Sequence, residues 1–190
     1  GMLYARILRC PHAHARVTKL DTEAASKIPG VKGIIPAPLT ELRYAGAPVA
    51  AVAATTPEIA GDALRAIKVT YEVLPHVVHA ADAIKPDAPK VIETENNLQE
   101  KGKNGDPQKV EAAFATADEI VEAEYICSRV HHACLETHGM VVDYRGGTEA
   151  TIYASTQGTF TISADAANEL GLQQSAVTTS VEHMGGGFGA

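Results

Sequence analysis

The residues best suited to chemistry form a glycine-rich stretch at 184–190, which reads MGGGFGA. Glycine is unfavourable inside a helix or strand by roughly 0.5–1 kcal/mol relative to alanine, so this stretch is predicted to be a loop. Without Cβ atoms, successive backbone N–H groups can approach an oxyanion or a metal-bound oxygen closely. Residues 177–181 are mostly β-branched and predict a strand, so the loop follows a strand end, where α/β proteins usually bind ligands.

Two other groups of residues have side chains that bind metals or transfer protons. His12 and His14 form an H-x-H pair, which in a strand would place both imidazoles on one face. No third ligand lies nearby in the sequence, so a structural role is favoured for this pair. Glu136 lies between His132 and His138, a composition that at first sight suggests a general base or a metal site.

The composition argues against a nucleic-acid or membrane partner. The 190 residues contain 16 Lys and Arg against 23 Asp and Glu, a net charge of -7, with no basic run. There is no stretch of about 18 apolar residues and no signal-peptide pattern, which is typical of a soluble, cytoplasmic protein. The three cysteines form no CxxC, so neither a disulfide framework nor an iron–sulfur cluster is expected. Because the sequence ends in a glycine-rich loop, we expect it to be a piece of a longer polypeptide.

The first half alternates short strands with helices. Helices are predicted at 22–28 and from residue 57 onward, the second with Thr56 as N-cap and Pro57 in its first turn. Strands are predicted at 3–8, 15–20, 30–35, 48–54 and 68–74, of which 48–54 is apolar throughout. The pattern predicts a small mixed α/β domain at 2–84, then a linker at 85–107 that is rich in Pro, Gly and charged residues.

The second half has a pattern of its own. Asp106 and Pro107 are predicted to start a helix that runs to Ala115. The other predicted elements are strands at 119–126, 140–143, 151–154 and 176–181, a turn at 144–147, and a helix at 160–170 that Gly171 ends. We expect these elements to form a second α/β domain at 108–190.

Three segments of the second half carry a family resemblance. They are HHACLETHG at 131–139, YASTQG at 153–158 and EHMGGGFGA at 182–190. Together they resemble the large, molybdopterin-binding subunit of the xanthine dehydrogenase and aldehyde oxidase family of molybdenum hydroxylases. In the first half, LYARILRCPHAHARV, GVKGI, YAGAPVAAVAA and EIAGDALRAIKVTYEVLP are similar to the small hammerhead domain of that family. The resemblance implies a mixed α/β fold, with a hammerhead-type domain followed by the truncated first part of a molybdenum-cofactor-binding domain.

The resemblance also implies roles for individual residues. Gln157 would donate its side-chain amide to an oxygen on molybdenum, and Gly186, Gly187, Phe188 and Gly189 would lie over the metal. Gln157 and Phe188 would therefore take part in catalysis as well as cofactor binding, and no residue of this chain would ligate the metal. The catalytic base of the family comes from later in the chain, so the resemblance favours a fold-supporting role for Glu136 and for three histidines, His131, His132 and His138.

Two alternatives for Gln157 and Phe188 stay open at this point. Gln157 can cap the helix that begins after it, and Phe188 can be a core aromatic that anchors the chain end. If the cofactor interpretation is right, Gln157 and Phe188 should meet at one edge of a sheet. The 188 − 157 = 31 residues between them are enough for a helix and a returning parallel strand, which bring two carboxyl strand ends together.

The implied function is oxidative hydroxylation of an aldehyde or of a carbon in an N-heteroaromatic ring. The molybdenum–molybdopterin cofactor would belong to the full-length enzyme, while iron–sulfur and FAD groups would lie on other domains or subunits. The isolated chain is expected to be inactive. An alternative from another class is a non-catalytic, stand-alone α/β binding or assembly module that kept the fold.

We expect the purified 190-residue chain to contain no stoichiometric molybdenum, because the resemblance places most pterin contacts outside it. Elemental analysis after gel filtration measures this directly. A content near one molybdenum atom per chain would show that the cofactor site has been misplaced.

Overall fold

A computed structural model describes residues 1–38, 40–92, 94, 97–99, 104–128 and 130–189 of the chain. The chain divides into two compact units, Gly1–Val110 and Glu111–Ala190. None of the described helices combines the length and apolar character needed to cross a bilayer. The mixed α/β fold predicted from the sequence is confirmed. The finer division into a domain at 2–84 and a linker at 85–107 stays a prediction.

The first unit contains two small antiparallel sheets. Its strands are β1 (Tyr4–Arg9), β2 (Ala15–Asp21), β3 (Val31–Pro36), β4 (Glu41–Leu42), β5 (Pro48–Ala54) and β6 (Lys68–Val73). Its helices are α1 (Glu23–Ser26), α2 (Pro57–Ala66), α3 (Ala80–Ala83) and the start of α4 (Pro107–Ala115). The strand orders are β1-β5-β3 in one sheet and β4-β2-β6 in the other.

Strand β5 is the centre of the first sheet and matches the predicted apolar strand. Its small side chains let α2 pack closely, so Val52 and Ala54 are fully buried. Helix α2 also begins as predicted, because the Thr56 hydroxyl accepts a hydrogen bond from the Ile59 N–H at 3.3 Å.

The histidine pair of the first unit is structural at His14. Both histidines lie in the bend before β2 and not in a strand, so the condition for sharing one strand face is not met. His14 is buried and donates from Nδ1 to the Pro75 carbonyl at 2.8 Å, since a carbonyl can only accept. Its Nε2 lies 3.3 Å from the Glu41 carboxylate, and this hydrogen bond holds the pKa of Glu41 below its usual range.

The second unit is built on a three-stranded sheet in the order β7-β8-β9. Its elements are β7 (Met140–Arg145), β8 (Glu149–Ala154), α5 (Thr159–Leu170), a short 3-10 turn (Gln174–Ala176) and β9 (Val177–Ser180). Strands β7 and β8 form an antiparallel hairpin, whereas β8 and β9 pair in parallel. The core under α5 consists of Ala150, Ile152, Ala167 and Val177.

The strand predicted at 119–126 is absent, which corrects the sequence interpretation. Its apolar residues are exposed, Val121 at 93% and Tyr125 at 89%. Alternation of apolar and polar residues favours a strand only when a neighbouring strand supplies the ladder of hydrogen bonds. None of the described strands pairs with this segment, so the local pattern is not realised.

Helix α5 ends at Gly171, which adopts the predicted left-handed conformation with φ 66°. A Cβ at this position would meet no atom within 4 Å, so only backbone strain opposes a side chain there. We expect Gly171→Ala to lower the free energy of unfolding by about 1–2 kcal/mol, measured by urea titration of the circular dichroism at 222 nm. Gly171→Asn should cost less, because asparagine tolerates the left-handed region. Equal losses for the two variants would contradict the strained cap.

Candidate functional site

The site lies at one edge of the second unit's sheet. Strands β8 and β9 pair in parallel from Ala150 opposite Val177 to Tyr153 opposite Ser180, so their carboxyl ends meet. Gln157 comes just after β8, and the glycine loop, residues 184–189, comes just after β9. The crossover predicted from the sequence therefore brings these two parts of the chain together.

Gln157 is fixed by the glycine loop. The Gly189 N–H donates to its side-chain oxygen Oε1 at 3.0 Å. Because an N–H needs an acceptor, the carboxamide oxygen faces the loop and the amide NH₂ points elsewhere. That NH₂ donates to no acceptor within the described part of the chain. The N-cap of α5 is Gly158 without any side-chain cap, so the helix-capping alternative for Gln157 is wrong.

Close contact explains why the loop contains glycine. Gly187 is buried, and a Cβ there would lie 3.0 Å from Cδ of Gln157 and still closer to its oxygen. Gly186 has φ 116°, a conformation that side chains strongly disfavour. Any side chain at Gly187 would push the loop off the Gln157 carboxamide.

Phe188 is held in a strained conformation with its ring in solvent. Its φ of 50° is in the left-handed region, which costs a residue with a Cβ roughly 1–2 kcal/mol. The side chain is 71% exposed, so the alternative of a core aromatic anchoring the chain end is wrong. Strain of this kind is concentrated at ligand sites, where the surrounding structure enforces it.

The loop also presents unpaired backbone donors. The N–H groups of Gly186, Gly187 and Phe188 have no acceptor among the residues that the structure describes, although Gly187 is buried. Of these three residues only Gly187 is buried, and polar backbone groups of buried residues are nearly always paired in native proteins, so its N–H is available to an acceptor from outside the described residues. Successive N–H groups in such a turn are suited to negatively charged or electron-rich atoms.

Glu136 and His138 bind the other end of the loop. The Glu136 carboxylate accepts a hydrogen bond from the Gly185 N–H, and His138 donates from Nε2 to the Gly186 carbonyl at 3.0 Å. Both contacts fit the fold-supporting role expected for these two residues. His131 and His132 are exposed and bond to no described residue, so for them this role stays a prediction.

The surroundings of Glu136 keep it ionised. The Gly185 N–H, and next the Ser155 hydroxyl, hold the pKa of Glu136 below its usual range against partial burial, and His138 adds a smaller electrostatic effect. The Ser155 hydroxyl oxygen is buried but lies outside regular hydrogen-bond geometry to any described residue. Neither the Gly185 contact nor the role of Ser155 was predicted from the sequence. The spacing of Glu136 and His138, two positions apart, is the one sequence feature that could have indicated that both side chains contact the same loop.

No group of three or more His, Cys, Asp or Glu side chains suited to holding a metal ion occurs in the described ranges. Beside the loop lies a shallow groove of about 540 Å³, lined in part by Glu136, Ser155 and His183. The donors that the loop and Gln157 leave free are neutral amides. This arrangement is suited to a bound group that presents acceptor atoms to the protein.

The fold and the donor set describe a cofactor-binding domain, and comparison with known proteins gives its family. The family model described as "Molybdopterin cofactor-binding domain" matches residues 90–190, and the chain belongs to this family. Within it, the chain is similar to the large chains of molybdenum hydroxylases, which confirms the resemblance found in the sequence.

Individual relatives cover the whole chain. It is 32% identical to xanthine dehydrogenase/oxidase of Mus musculus over 98% of its length, and 31% identical to the carbon monoxide dehydrogenase large chain of Hydrogenophaga pseudoflava over 100%. A crystal structure of the Cu,Mo-containing CO dehydrogenase superposes on the entire chain with a TM-score of 0.83 at 26% identity. The chain spans only 15% of the first relative and 28% of each of the other two.

The lowered pKa of Glu136 predicts how the loop responds to acid. Its contribution to stability is present at neutral pH, above the unfolded value of about 4.3, and is lost as the pH falls through the lower folded pKa. Carbon NMR should show the Glu136 carboxyl titrating below that unfolded value, with the Gly185 amide shift following the same midpoint. Glu136→Gln should abolish this response of Gly185. A Gly185 amide that does not move between pH 7 and the end of the titration would contradict the contact.

Proposed function

We propose that this chain forms part of the molybdopterin site of a molybdenum hydroxylase that oxidatively hydroxylates an aldehyde or an N-heteroaromatic carbon. The observation that carries the proposal is the Gln157 side chain, held through its oxygen by Gly189 with its NH₂ left free. The free N–H groups of the glycine loop lie at the same sheet edge. Family membership supplies the identity of the group that these donors would meet.

The residues present fit such a group. The N–H of the buried residue Gly187 has no acceptor among the described residues, and the cofactor would supply acceptor atoms at this edge. An amide donor orients an electron-rich atom without adding a positive charge, which would alter the potential of a nearby redox centre. When bound, the molybdenum group would supply the oxidation chemistry. Gln157 and the loop would orient it, with Gly186, Gly187 and Gly189 allowing close backbone approach.

Phe188 would act on the substrate side of the same loop. Its exposed ring can pack edge to face or offset against a flat heteroaromatic or aryl substrate and exclude water from that face. The strained backbone holds the ring outward rather than in a core. The xanthine named in the mouse relative is an N-heterocycle, which supports this substrate class. Carbon monoxide, named in the Hydrogenophaga pseudoflava relative, is the main alternative substrate.

We further propose that the electrons leave through iron–sulfur and flavin domains or subunits. The described part of this chain contains no cysteine cluster that would hold an iron–sulfur centre. The relative named as a large chain supports a partner that carries further groups.

The decisive experiment changes Gln157→Ala in the assembled, molybdenum-loaded enzyme. We expect turnover of aldehyde or N-heterocycle substrates to fall about 10²–10³-fold, as for the loss of one preorganised donor. Molybdenum content should stay near that of the parent enzyme, and the free energy of unfolding should fall by only about 1 kcal/mol, because the variant loses one hydrogen bond to Gly189 and no core residue. Gln108→Ala, the same change on exposed helix α4, is the matched control.

Unchanged turnover in the Gln157→Ala enzyme would contradict the proposed site and would favour a binding or assembly module that has no catalytic role. A parallel loss of turnover and stability would show that Gln157 acts through the fold.

A further inference from the structure

One short segment contacts the first half of the glycine loop through alternate side chains. These are Cys134, Glu136 and His138, here called the clamp residues: Glu136 and His138 form hydrogen bonds with the peptide units of Gly185 and Gly186, and Cys134 lies beside Gly186. The segment is itself tied to the sheet, because the Ser155 N–H donates to the Gly139 carbonyl at 3.0 Å. The clamp residues are therefore attached to the segment that follows β8, and Gln157 lies in the same segment.

We propose that Glu136 and His138 are positioning residues that set the glycine loop against the Gln157 carboxamide. This inference rests on the proposed function, because it concerns how the donors of that site are held. Neither residue is assigned a part in the chemical step itself.

The geometry leaves the first loop peptides little freedom. The Gly185 N–H is bound by the Glu136 carboxylate, and the Gly186 carbonyl is bound by His138. A Cβ on Gly185 would lie 2.6 Å from Cβ of Glu136, so backbone and side chain are already in direct contact. Cys134 packs beside Gly186: a Cβ added to Gly186 would lie 3.4 Å from the Cys134 Sγ.

Fixing Gly185 and Gly186 also fixes the residue that follows them. Gly187 lies against the Gln157 carboxamide, and Gly189 donates to its oxygen. The loop is thus held at one end by the clamp and at the other by Gln157. Loss of the clamp is expected to release the contact with Gln157 and with it the orientation of the free NH₂.

The chemistry of the clamp favours positioning over proton transfer. The hydrogen bond from Gly185 occupies the Glu136 carboxylate and lowers its pKa, so the group has no proton to give at neutral pH and is a weak base. His138 uses Nε2–H on a carbonyl, which fixes that nitrogen as a donor. A charge-assisted hydrogen bond to a backbone N–H is about twice as strong as a neutral one, which suits a residue that must hold a glycine-rich backbone.

The first test uses the 190-residue chain with ¹⁵N labelling and no cofactor. Glu136→Ala should shift the Gly189 amide and the Gln157 side-chain NH₂ resonances, and should speed exchange of the Gly185 amide by about tenfold or more as the loop opens locally. Glu136→Gln retains an acceptor oxygen and should rescue most of this effect. Glu169→Ala, which removes an exposed carboxylate from α5, is the matched control. Urea midpoints of all variants separate local release from general destabilisation.

If Glu136→Ala leaves the Gly189 and Gln157 resonances as in the parent chain, the positioning role is overturned. Failure of the Gln variant to rescue would equally contradict a role based on hydrogen-bond acceptance. His138→Ala should give the same shifts at Gly189 and Gln157, and their absence would remove His138 from the clamp.

The second test is a double-mutant cycle in the molybdenum-loaded enzyme. Glu136→Ala and Gln157→Ala should each lower kcat more than they raise KM, and the double variant should be little worse than Gln157→Ala alone, because both act through one contact. Fully additive losses would overturn the positioning role. If the resonance shifts occur in the isolated chain but Gln157→Ala leaves turnover unchanged, the proposed function fails while the clamp stands.

Discussion

Parallel hydrogen bonding between β8 and β9 is the constraint on which the site depends. A parallel pair cannot be joined by a tight turn, so the chain must leave β8, cross the sheet as α5 and return. The carboxyl ends of both strands then lie side by side, and whatever follows each strand must meet there. Burial of Ile152 and Ala167 between sheet and helix makes this return rigid. The meeting of Gln157 with the glycine loop is a consequence of this core.

The loop divides its backbone groups between two tasks. The N–H groups of Gly185 and Gly189 and the carbonyl of Gly186 bind side chains of the same unit. The N–H groups between them have no acceptor among the described residues and, in the proposed function, would bind the ligand. This division lowers the entropic cost of binding, because a mobile glycine run would lose its conformational freedom each time a ligand binds. Side chains of the chain itself order the loop beforehand.

Much of this arrangement could be predicted from local sequence, where the signal and its cause lie close together. Strand β5, the Thr56 cap and the Gly171 cap each depend on neighbouring residues and were predicted correctly. The prediction of a strand at 119–126 was wrong because alternating residues indicate that a segment suits a sheet, but not that a partner strand is present. Helix α3 was not predicted for a different reason: it is only one turn long and has no side-chain cap, so it leaves little local signal.

At the site, the sequence predicted which chain segments meet but not how they are bonded. The chain order of β8, α5 and β9 is enough to bring Gln157 near the loop. The hydrogen bond from Gly185 to Glu136 joins residues 49 positions apart and depends on side-chain reach, which no periodicity records. The left-handed backbone of Phe188 could not be predicted either. The glycines around it are the residues expected to adopt positive φ angles, so the sequence gives no reason to assign one to Phe188.

Phe188 also bears on attempts to engineer the chain for robustness. A procedure that ranks substitutions by folding free energy would favour glycine here, because the backbone would relax and an exposed ring would be removed from water. The same change would erase the only aromatic surface of the loop. If Phe188 has its proposed role, stability and ligand recognition therefore favour different residues at this position. A library selected only for thermal resistance would be expected to accumulate glycine at position 188. A library selected for binding would be expected to keep the aromatic ring together with its strained backbone.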